Sequence, residues 1–197
     1  MNTAQPIRNA QDLQRFKEYY QVVCPNTRNH LLLVTGLNTA LRISDILHLK
    51  WEHVYDFGTH NCKEHLYITE QKTDKKSMVL INGNLKEALL KYKEHLDRQG
   101  TPTSPGSFLF ENSNRKGHPI TRVQAFRIIK KAAAECHLNG VISCHSLRKT
   151  FGYHAWQQGI KPALLMNIYN HSSFQTTVRY LGIEQDDRDS IFRNIDI

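Results

Sequence analysis

The stretch from residue 142 to residue 180 constrains this chain most, because it concentrates side chains suited to phosphate chemistry. It reads ISCHSLRKTFGYHAWQQGIKPALLMNIYNHSSFQTTVRY. His145 and Arg148 stand three residues apart, and Tyr180 follows His171 by nine residues. Positions i and i+3 share one face of a helix, so the imidazole and the guanidinium can converge on a single point. The order of these residues predicts a phenol directed at a bound phosphate.

A further candidate arginine, Arg42, stands far upstream. It opens a predicted helix whose core face is apolar, formed by Ile43, Ile46, Leu47 and Leu49. A guanidinium at the head of an apolar helix must reach solvent or find a partner. A surface arginine would be the ordinary interpretation of one such residue alone.

Both stretches resemble one family, the tyrosine recombinases of the phage-integrase type. HSLRKTF, Gly159 and NHSSFQTTVRYL are similar to its H-x-x-R, its L-G-H and its nucleophilic tyrosine. TALRISDILHLKW resembles its T-G-x-R-x-S-E-L-x-x-L-x-W signature. Asn170 and Ala40 stand where the family has glycine, and Asp45 where it has glutamate. Asparagine tolerates a left-handed backbone better than most residues, so we expect the turn before His171 to survive.

The resemblance implies a catalytic set: Arg42, Lys72, His145, Arg148, His171 and Tyr180. In that family the arginines hold the phosphate and the tyrosine attacks it. His145 would relay the phenol proton, His171 would donate a hydrogen bond to the phosphate, and Lys72 would protonate the leaving 5′ oxygen. Asp45 is expected to orient neighbouring side chains. Tyr153 and Tyr169 do not match the family position and are expected in the core.

This chemistry needs such a set because a phenol is a weak nucleophile. With a pKa near 10, only about 0.1% of a tyrosine is ionised at neutral pH. Two arginines supply charge-assisted bonds that strengthen as charge develops on the phosphate, and imidazoles can transfer protons. Neither a metal nor a cofactor is expected, because the sequence has no P-loop and no acidic cluster with ligand spacing.

A β-hairpin is predicted where HLYITEQKTDKKSMVLIN alternates in polarity. Its apolar positions are Leu66, Ile68, Met78 and Leu80, and Thr73-Asp74 interrupts them. Lys75 and Lys76 fit a solvated basic turn and are also candidate DNA contacts. The family position favours Lys72 as the general acid, with Lys75 as the alternative, since sequence sets hairpin register poorly.

The remaining elements are predicted from periodicity and turn signals. We expect a helix capped by Asn9, a buried helix over Leu31–Leu37 with a turn from Gly36, a helix over 84–99, and loops over 100–106 and 112–119. The expected class is α+β and mainly α-helical, with a small antiparallel hairpin at one edge. The resemblance makes this the DNA breaking-rejoining fold of the tyrosine recombinase catalytic domain.

A helix predicted from Thr121 to about His137 overlaps the most basic part of the chain. Residues 115–131 contain six Lys or Arg and no acid. The expected buried stripe is Val123, Phe126, Ile129 and Cys136. A solvated face is the ordinary interpretation, but the position resembles the family's major-groove helix. The implied DNA contacts are Arg122, Gln124, Arg127 and Lys131, the first two near the bases.

Composition narrows the class of protein. At 197 residues the chain predicts one domain, or one with an appendage. Its net charge of +8 favours a polyanionic partner, although ribosomal and membrane-surface proteins share that trait. No signal peptide and no apolar run of about 18 residues is found, so a cytoplasmic location at the bacterial nucleoid is expected. Four scattered cysteines indicate free thiols rather than a zinc site built from Cys136-His137 and Cys144-His145.

The resemblance extends from about Thr35 to Leu181. Residues 1–183 are therefore expected to form the catalytic domain, followed by an acidic tail, 184–197, that contacts another protomer. The resemblance implies a catalytic domain without the family's usual N-terminal core-binding domain, similar to the short fimbrial phase-switch recombinases. The implied partners are double-stranded DNA at specific recombination sites, further copies forming a tetramer on DNA but a monomer when free, and an accessory DNA-bending protein.

The predicted function is site-specific DNA recombination through a 3′-phosphotyrosyl intermediate. The outcome would be integration, excision or inversion of a mobile or invertible element. One alternative is a type IB topoisomerase, which uses the same chemistry to relax supercoils. Another is a non-catalytic regulator that occupies recombination sites. Small size and the H-x-x-R to tyrosine spacing favour a recombinase over a topoisomerase, and a regulator would be expected to lack a catalytic residue.

Overall fold

A computed structural model describes residues 4–183 together with residues 189, 192, 193 and 195. The predicted acidic tail, 184–197, therefore lies almost wholly outside the described residues. No helix among the described residues is both long and apolar enough to cross a membrane.

Helices dominate the described chain. In order they are α1 (Ala10–Glu18), α2 (Thr27–Thr39), α3 (Ile43–Leu47), α4 (Trp51–Val54), α5 (Gly83–Arg98), α6 (Arg122–Glu135), α7 (Cys144–Gln157), α8 (Pro162–Tyr169) and α9 (Phe174–Leu181). A π-helical turn, Tyr19–Val23, continues α1. The predicted caps are present, since the side chains of Asn9 and Thr121 accept hydrogen bonds from backbone N–H groups in the first turns of α1 and α6. The mainly helical α+β class is confirmed.

The strands form small antiparallel hairpins. They are β1 (Tyr55–Asp56) with β2 (Asn61–Cys62), β3 (His65–Thr69) with β4 (Lys76–Leu80), and β5 (Glu111–Asn112) with β6 (Arg115–Pro119). The predicted hairpin is β3–β4, in which Leu66 pairs with Val79. In this register Met78 and Leu80 are 63% and 55% exposed, so these two apolar positions of the hairpin do not face the core.

The loop expected over residues 112–119 is wrong, because β5 and β6 pair there. Asn112 lies opposite Arg115, and the Glu111 carboxylate accepts the backbone N–H of Gly117 at 2.6 Å. The strand β6 is polar and largely exposed, so it lacks the alternation that marks a half-buried strand.

The core surrounds α2, which is buried along most of its length. The turn expected at Gly36 is wrong: the helix continues to Thr39 and ends at Ala40, whose φ is 54°. A Cβ on Gly36 would overlap Leu147 of α7. Gly36 therefore permits close packing of α2 on α7 rather than a turn.

The stripe that α6 buries differs from the prediction. Val123 and Phe126 are 57% and 41% exposed, whereas Ile129 and Cys136 are buried as expected. The buried face is completed by alanines, Ala125, Ala132 and Ala133. Small side chains let α6 approach its neighbours closely. With the alanine face turned toward the core, the two larger apolar residues, Val123 and Phe126, face outward.

Candidate active site

Arg42 is positioned by the connection between α2 and α3. After the left-handed Ala40, the chain extends and re-enters a helix at Ile43, directly after Arg42. The Arg42 side chain is 19% exposed, and its Nη1 pairs with a carboxylate oxygen of Glu70. Arg42 is thus a partly exposed guanidinium paired with a buried carboxylate.

Arg148 lies on the buried face of α7 and is 4% exposed. Its Nη1 donates to the carbonyl of Ala40, and its Nη2 donates to the carbonyl of Tyr169 at 3.1 Å. Its guanidinium carbon lies 4.7 Å from the centre of the Tyr169 ring. Arg148 therefore joins the C-terminal ends of α2 and α8, where helix dipoles favour a positive charge. Burial lowers the pKa of Arg148, but a guanidinium remains charged at neutral pH.

Tyr180, on α9, belongs to a cluster of three aromatic rings. Its ring centre lies 5.1 Å from that of His171 and 5.3 Å from that of Tyr169. The Lys149 ammonium lies 5.0 Å from the Tyr180 ring centre. Burial raises the pKa of Tyr180, while the positive charges of Arg148 and Arg42 oppose that rise. Two arginines far apart in sequence thus act on one phenol.

His171 is oriented by a hydroxyl on the same helix as Tyr180. Its Nδ1 lies 3.0 Å from Oγ1 of Thr177, which is fully buried. Burial and then the charges of Arg148 and Arg42 lower the pKa of His171. The ring is therefore neutral at pH 7. If the Thr177 hydroxyl donates to Nδ1, then Nε2–H is the remaining donor.

His145, at the start of α7, is an exposed residue. Partial desolvation of its ring, followed by the charges of Arg122 and Arg148, lowers its pKa below the ordinary 6.5. At neutral pH His145 is therefore an unprotonated base, and it lies within the electrostatic influence of Arg122 and Arg148.

The three lysines of the hairpin have different surroundings. Lys72 lies exposed in the turn between β3 and β4. Lys75 reaches across to α8, where its Nζ donates to the carbonyl of Asn167 at 2.7 Å. Lys76 is the exposed first residue of β4. Lys75 is thus engaged by a neighbouring helix, and the role of Lys72 remains a prediction.

Asp45 was expected to orient neighbouring side chains, but its carboxylate holds a backbone N–H group instead. The residue is 4% exposed, and its Oδ1 accepts the backbone N–H of Gln71 at 3.0 Å. Within the described part of the chain, its buried Oδ2 has no hydrogen-bond partner. Asp45 therefore attaches the hairpin turn to α3, directly beside Lys72.

Sequence reasoning missed Glu70, the buried partner of Arg42. Its only signal is a glutamate inside the segment EQKT, which is also the family position of the lysine. Nothing in periodicity reveals that this carboxylate turns inward, because the contact joins residues 28 apart.

The predicted DNA contacts lie along α6. Arg122, Arg127 and Lys131 are exposed, and the Arg122 charge reaches His145. Gln124 is only partly exposed, and its Oε1 accepts the backbone N–H of Thr121 at 2.8 Å as part of a capping box. A base-reading role would require this amide to leave its cap.

Among the described residues, no group of three or more His, Cys, Asp or Glu side chains lies where it could hold a metal ion. The described cysteines, Cys24, Cys62, Cys136 and Cys144, are free thiols.

The helical core, the β3–β4 hairpin and the grouping of Arg42, Arg148, His171 and Tyr180 define a tyrosine recombinase catalytic domain. The chain belongs to the phage integrase family, whose sequence model matches residues 9–186. The family predicted from the two motifs is therefore confirmed.

Two curated relatives support the enzyme class. The "probable integrase/recombinase YoeC" of Bacillus subtilis strain 168 is 41% identical over 186 residues, covering 94% of this chain and 93% of YoeC. A tyrosine recombinase of Pseudothermotoga lettingae is 31% identical over 167 residues, covering 84% of this chain but 54% of that protein. The predicted class, a tyrosine-type site-specific recombinase or integrase, is confirmed, and the topoisomerase and regulator alternatives are not favoured.

Solved structures show the same fold. XerA recombinase aligns with a TM-score of 0.74 at 18% identity, covering 98% of this chain and 65% of that one. XerH, in a post-cleavage complex with a palindromic difH substrate, aligns with a TM-score of 0.73 at 20% identity, covering 98% and 55%. This chain thus spans about half to two thirds of these structures.

Proposed function

We propose that this chain cleaves and rejoins DNA at specific sites through a 3′-phosphotyrosyl intermediate formed on Tyr180. The placement of the Tyr180 phenol supports this most. Its ring centre lies 5.1 Å from that of His171, and the charges of Arg148 and Arg42 act on its hydroxyl. A buried structural tyrosine would not require two converging guanidinium groups.

In the proposed reaction, Arg42 and Arg148 bind the non-bridging oxygens of the scissile phosphate. A guanidinium has five N–H donors, so each arginine retains donors for phosphate beside its bonds to Glu70 or to carbonyls. These bonds strengthen as negative charge accumulates in the transition state. Because both guanidinium groups are already held, little reorganisation is needed when DNA binds.

Proton transfers complete the cleavage. His145, unprotonated at neutral pH, accepts the phenol proton as the Tyr180 oxygen bonds to phosphorus. The bond from phosphorus to the 5′ oxygen breaks, and Lys72 gives that oxygen a proton. His171 donates Nε2–H to the phosphate. Attack by a 5′ hydroxyl of another strand reverses these steps and rejoins DNA.

Double-stranded DNA at recombination sites is the proposed partner, with α6 and its exposed Arg122, Arg127 and Lys131 toward the duplex. XerH is described with its difH substrate, and lambda integrase as a dimer on a core site. By analogy we infer that copies of this chain assemble as a tetramer on DNA and are monomeric when free. An accessory DNA-bending protein, an acidic tail that contacts a neighbouring protomer and action in the bacterial cytoplasm belong to the same proposal.

Covalent trapping tests the function. The protein is incubated with fragments of the source genome, SDS is added, and DNA carrying a tyrosyl peptide on its 3′ phosphate is recovered and sequenced. A nicked suicide duplex built on the recovered site should then accumulate adduct. Tyr180→Phe should bind this duplex as wild type does but form no adduct, because the variant lacks only the attacking oxygen.

Two tyrosines serve as controls. Tyr67→Phe changes an exposed residue, and Tyr169→Phe changes the ring beside Tyr180. Both should form adduct, and mass mapping should place the DNA on Tyr180. An adduct that persists in Tyr180→Phe, or that maps to Tyr169, contradicts the proposal.

A further inference from the structure

Glu70 occupies the neck of the turn that carries Lys72. Its backbone N–H donates to the carbonyl of Lys75, and its own carbonyl accepts the N–H of Asp74, both at 2.9 Å. The residue as a whole is 2% exposed, so its side chain points inward from the turn. A change in the position of the Glu70 side chain should therefore also change the position of the turn.

The carboxylate of Glu70 is shared between the hairpin and α3. Oε2 accepts from Nη1 of Arg42 and, at 3.3 Å, from the hydroxyl of Thr73. Oε1 accepts from the hydroxyl of Ser77 at 2.8 Å. Burial would raise the pKa of Glu70, but the Ser77 bond and the Arg42 charge outweigh it and bring the pKa below its ordinary value. Glu70 is therefore a buried anion with partners on both oxygens.

We propose that Glu70 is a positioning residue that holds the Arg42 guanidinium toward the scissile phosphate and sets its distance from the Lys72 turn. This inference rests on the proposed function. An arginine side chain loses much rotamer freedom when it becomes ordered. Because the ion pair with Glu70 orders one edge of the Arg42 guanidinium in the free protein, less of this entropy is lost when DNA binds. The same carboxylate attaches the turn, so the phosphate-binding arginine and the proposed general acid move as one unit.

Single-turnover cleavage of the suicide duplex at saturating protein tests the catalytic consequence. Glu70→Ala should slow adduct formation about 100-fold, the cost of a misplaced catalytic group, with DNA affinity nearly unchanged. Glu70→Gln keeps the volume and one acceptor, and should lose about tenfold because a neutral amide bonds guanidinium less strongly. Glu64→Ala, which removes an exposed carboxylate before the same hairpin, should cleave as wild type does.

A neutral methylphosphonate at the scissile position separates positioning from general damage. It has one charged oxygen fewer, so it gains less from Arg42, and Glu70→Ala should then fall within about threefold of wild type on this substrate. An equal loss on both substrates overturns the proposal. So does wild-type cleavage by Glu70→Ala, or faster cleavage, which would make Glu70 a mask over Arg42.

A measurement without DNA distinguishes failure of this inference from failure of the proposed function. In ¹⁵N NMR of arginine side chains, Arg42 should show separate Nη signals in the wild type, because the ion pair restricts guanidinium rotation. These signals should average in Glu70→Ala but not in Glu64→Ala. Averaged signals in the wild type, or separate signals in Glu70→Ala, overturn the inference. Absence of any covalent adduct from the wild type overturns the proposed function, and the NMR result then still decides whether Glu70 orients Arg42.

Discussion

Single residues in this site stand where the backbone is unusual. Ala40 and Asn170, which replace two glycines of the family pattern, both have φ of 54°. A left-handed conformation costs an ordinary residue about 1–2 kcal/mol. These two residues lie at or next to the carbonyl groups of Ala40 and Tyr169, which accept hydrogen bonds from Arg148. The two sharp helix ends thus bring these carbonyls to the guanidinium, and its bonds help to offset the strain.

Lys72 can be tested as the general acid by changing the leaving group. Lys72→Ala should block cleavage of normal DNA, whereas a 5′-bridging phosphorothiolate, whose sulfur leaves without a proton, should restore much of the rate. The readout is single-turnover adduct formation with each substrate. Lys75→Ala is the matched control, because Lys75 is already bonded to Asn167. Rescue seen with Lys75→Ala and not with Lys72→Ala would exchange their roles.

The pH dependence of cleavage should follow His145. Its pKa is lowered by desolvation and by Arg122 and Arg148, so the neutral base is present at pH 7 and above. As pH falls below the ordinary value of about 6.5, protonation removes this base and adduct formation should slow. Measured at limiting DNA, the profile reports the free enzyme. His145→Gln should be slower and lack this acidic limb, and a rate that rises toward low pH would exclude the role.

Between elements, the site depends on how closely α8 and α9 approach α7. A Cβ on Gly152 of α7 would overlap the Tyr169 hydroxyl and the side chain of Leu181. That hydroxyl donates to the carbonyl of Arg148 at 2.8 Å. The residues next to Arg148 and Tyr180 thus share one contact zone. From outside, Arg8 also holds α9, donating to the carbonyl of Gly182 at 2.8 Å.

Gly152→Ala should therefore disturb both stability and catalysis. Overpacking should lower the free energy of unfolding by about 1–3 kcal/mol, measured by denaturant titration. Because α9 must shift, adduct formation should fall even where the protein remains folded. Gly83→Ala is the matched control, since a Cβ there meets nothing within 4 Å. Equal behaviour of the two variants would show that the close approach is unimportant.

Across the whole molecule, a net charge of +8 favours a polyanionic partner, and α6 carries several exposed cations. Affinity for DNA should consequently depend on salt through release of counterions from the phosphates. The backbone of α6 is already helical, so on binding only the exposed side chains of its arginines must lose conformational freedom.

Arg127→Ala should weaken DNA binding and reduce the slope of log affinity against log salt by about 0.9, the value for one phosphate contact. Titrations of one labelled duplex from low to physiological salt measure both quantities. Lys91→Ala, on α5 and ion-paired with Glu87, is the basic control and should leave the slope unchanged. An unchanged slope for Arg127→Ala would remove α6 from the proposed interface.

The sequence by itself determined the family, the mainly helical class, the β3–β4 hairpin and the candidate residues His145, Arg148, His171 and Tyr180. These depend on local spacing and periodicity, which are visible in one dimension. Turn signals were less reliable, as Gly36 shows: its missing Cβ serves a contact with Leu147, over a hundred residues away.

Only the tertiary structure decided which groups meet. Glu70 binds Arg42, and Lys75 donates a hydrogen bond to the carbonyl of Asn167. Val123 faces outward because the alanines of α6 pack against the core. The polar β5–β6 hairpin likewise forms without an alternating pattern. The periodicity of apolar positions in a segment indicates which of its residues are buried, but not which residues they pack against. Contacts between distant segments depend on shape and charge in three dimensions, and here they set the surroundings of the two arginines proposed to bind phosphate.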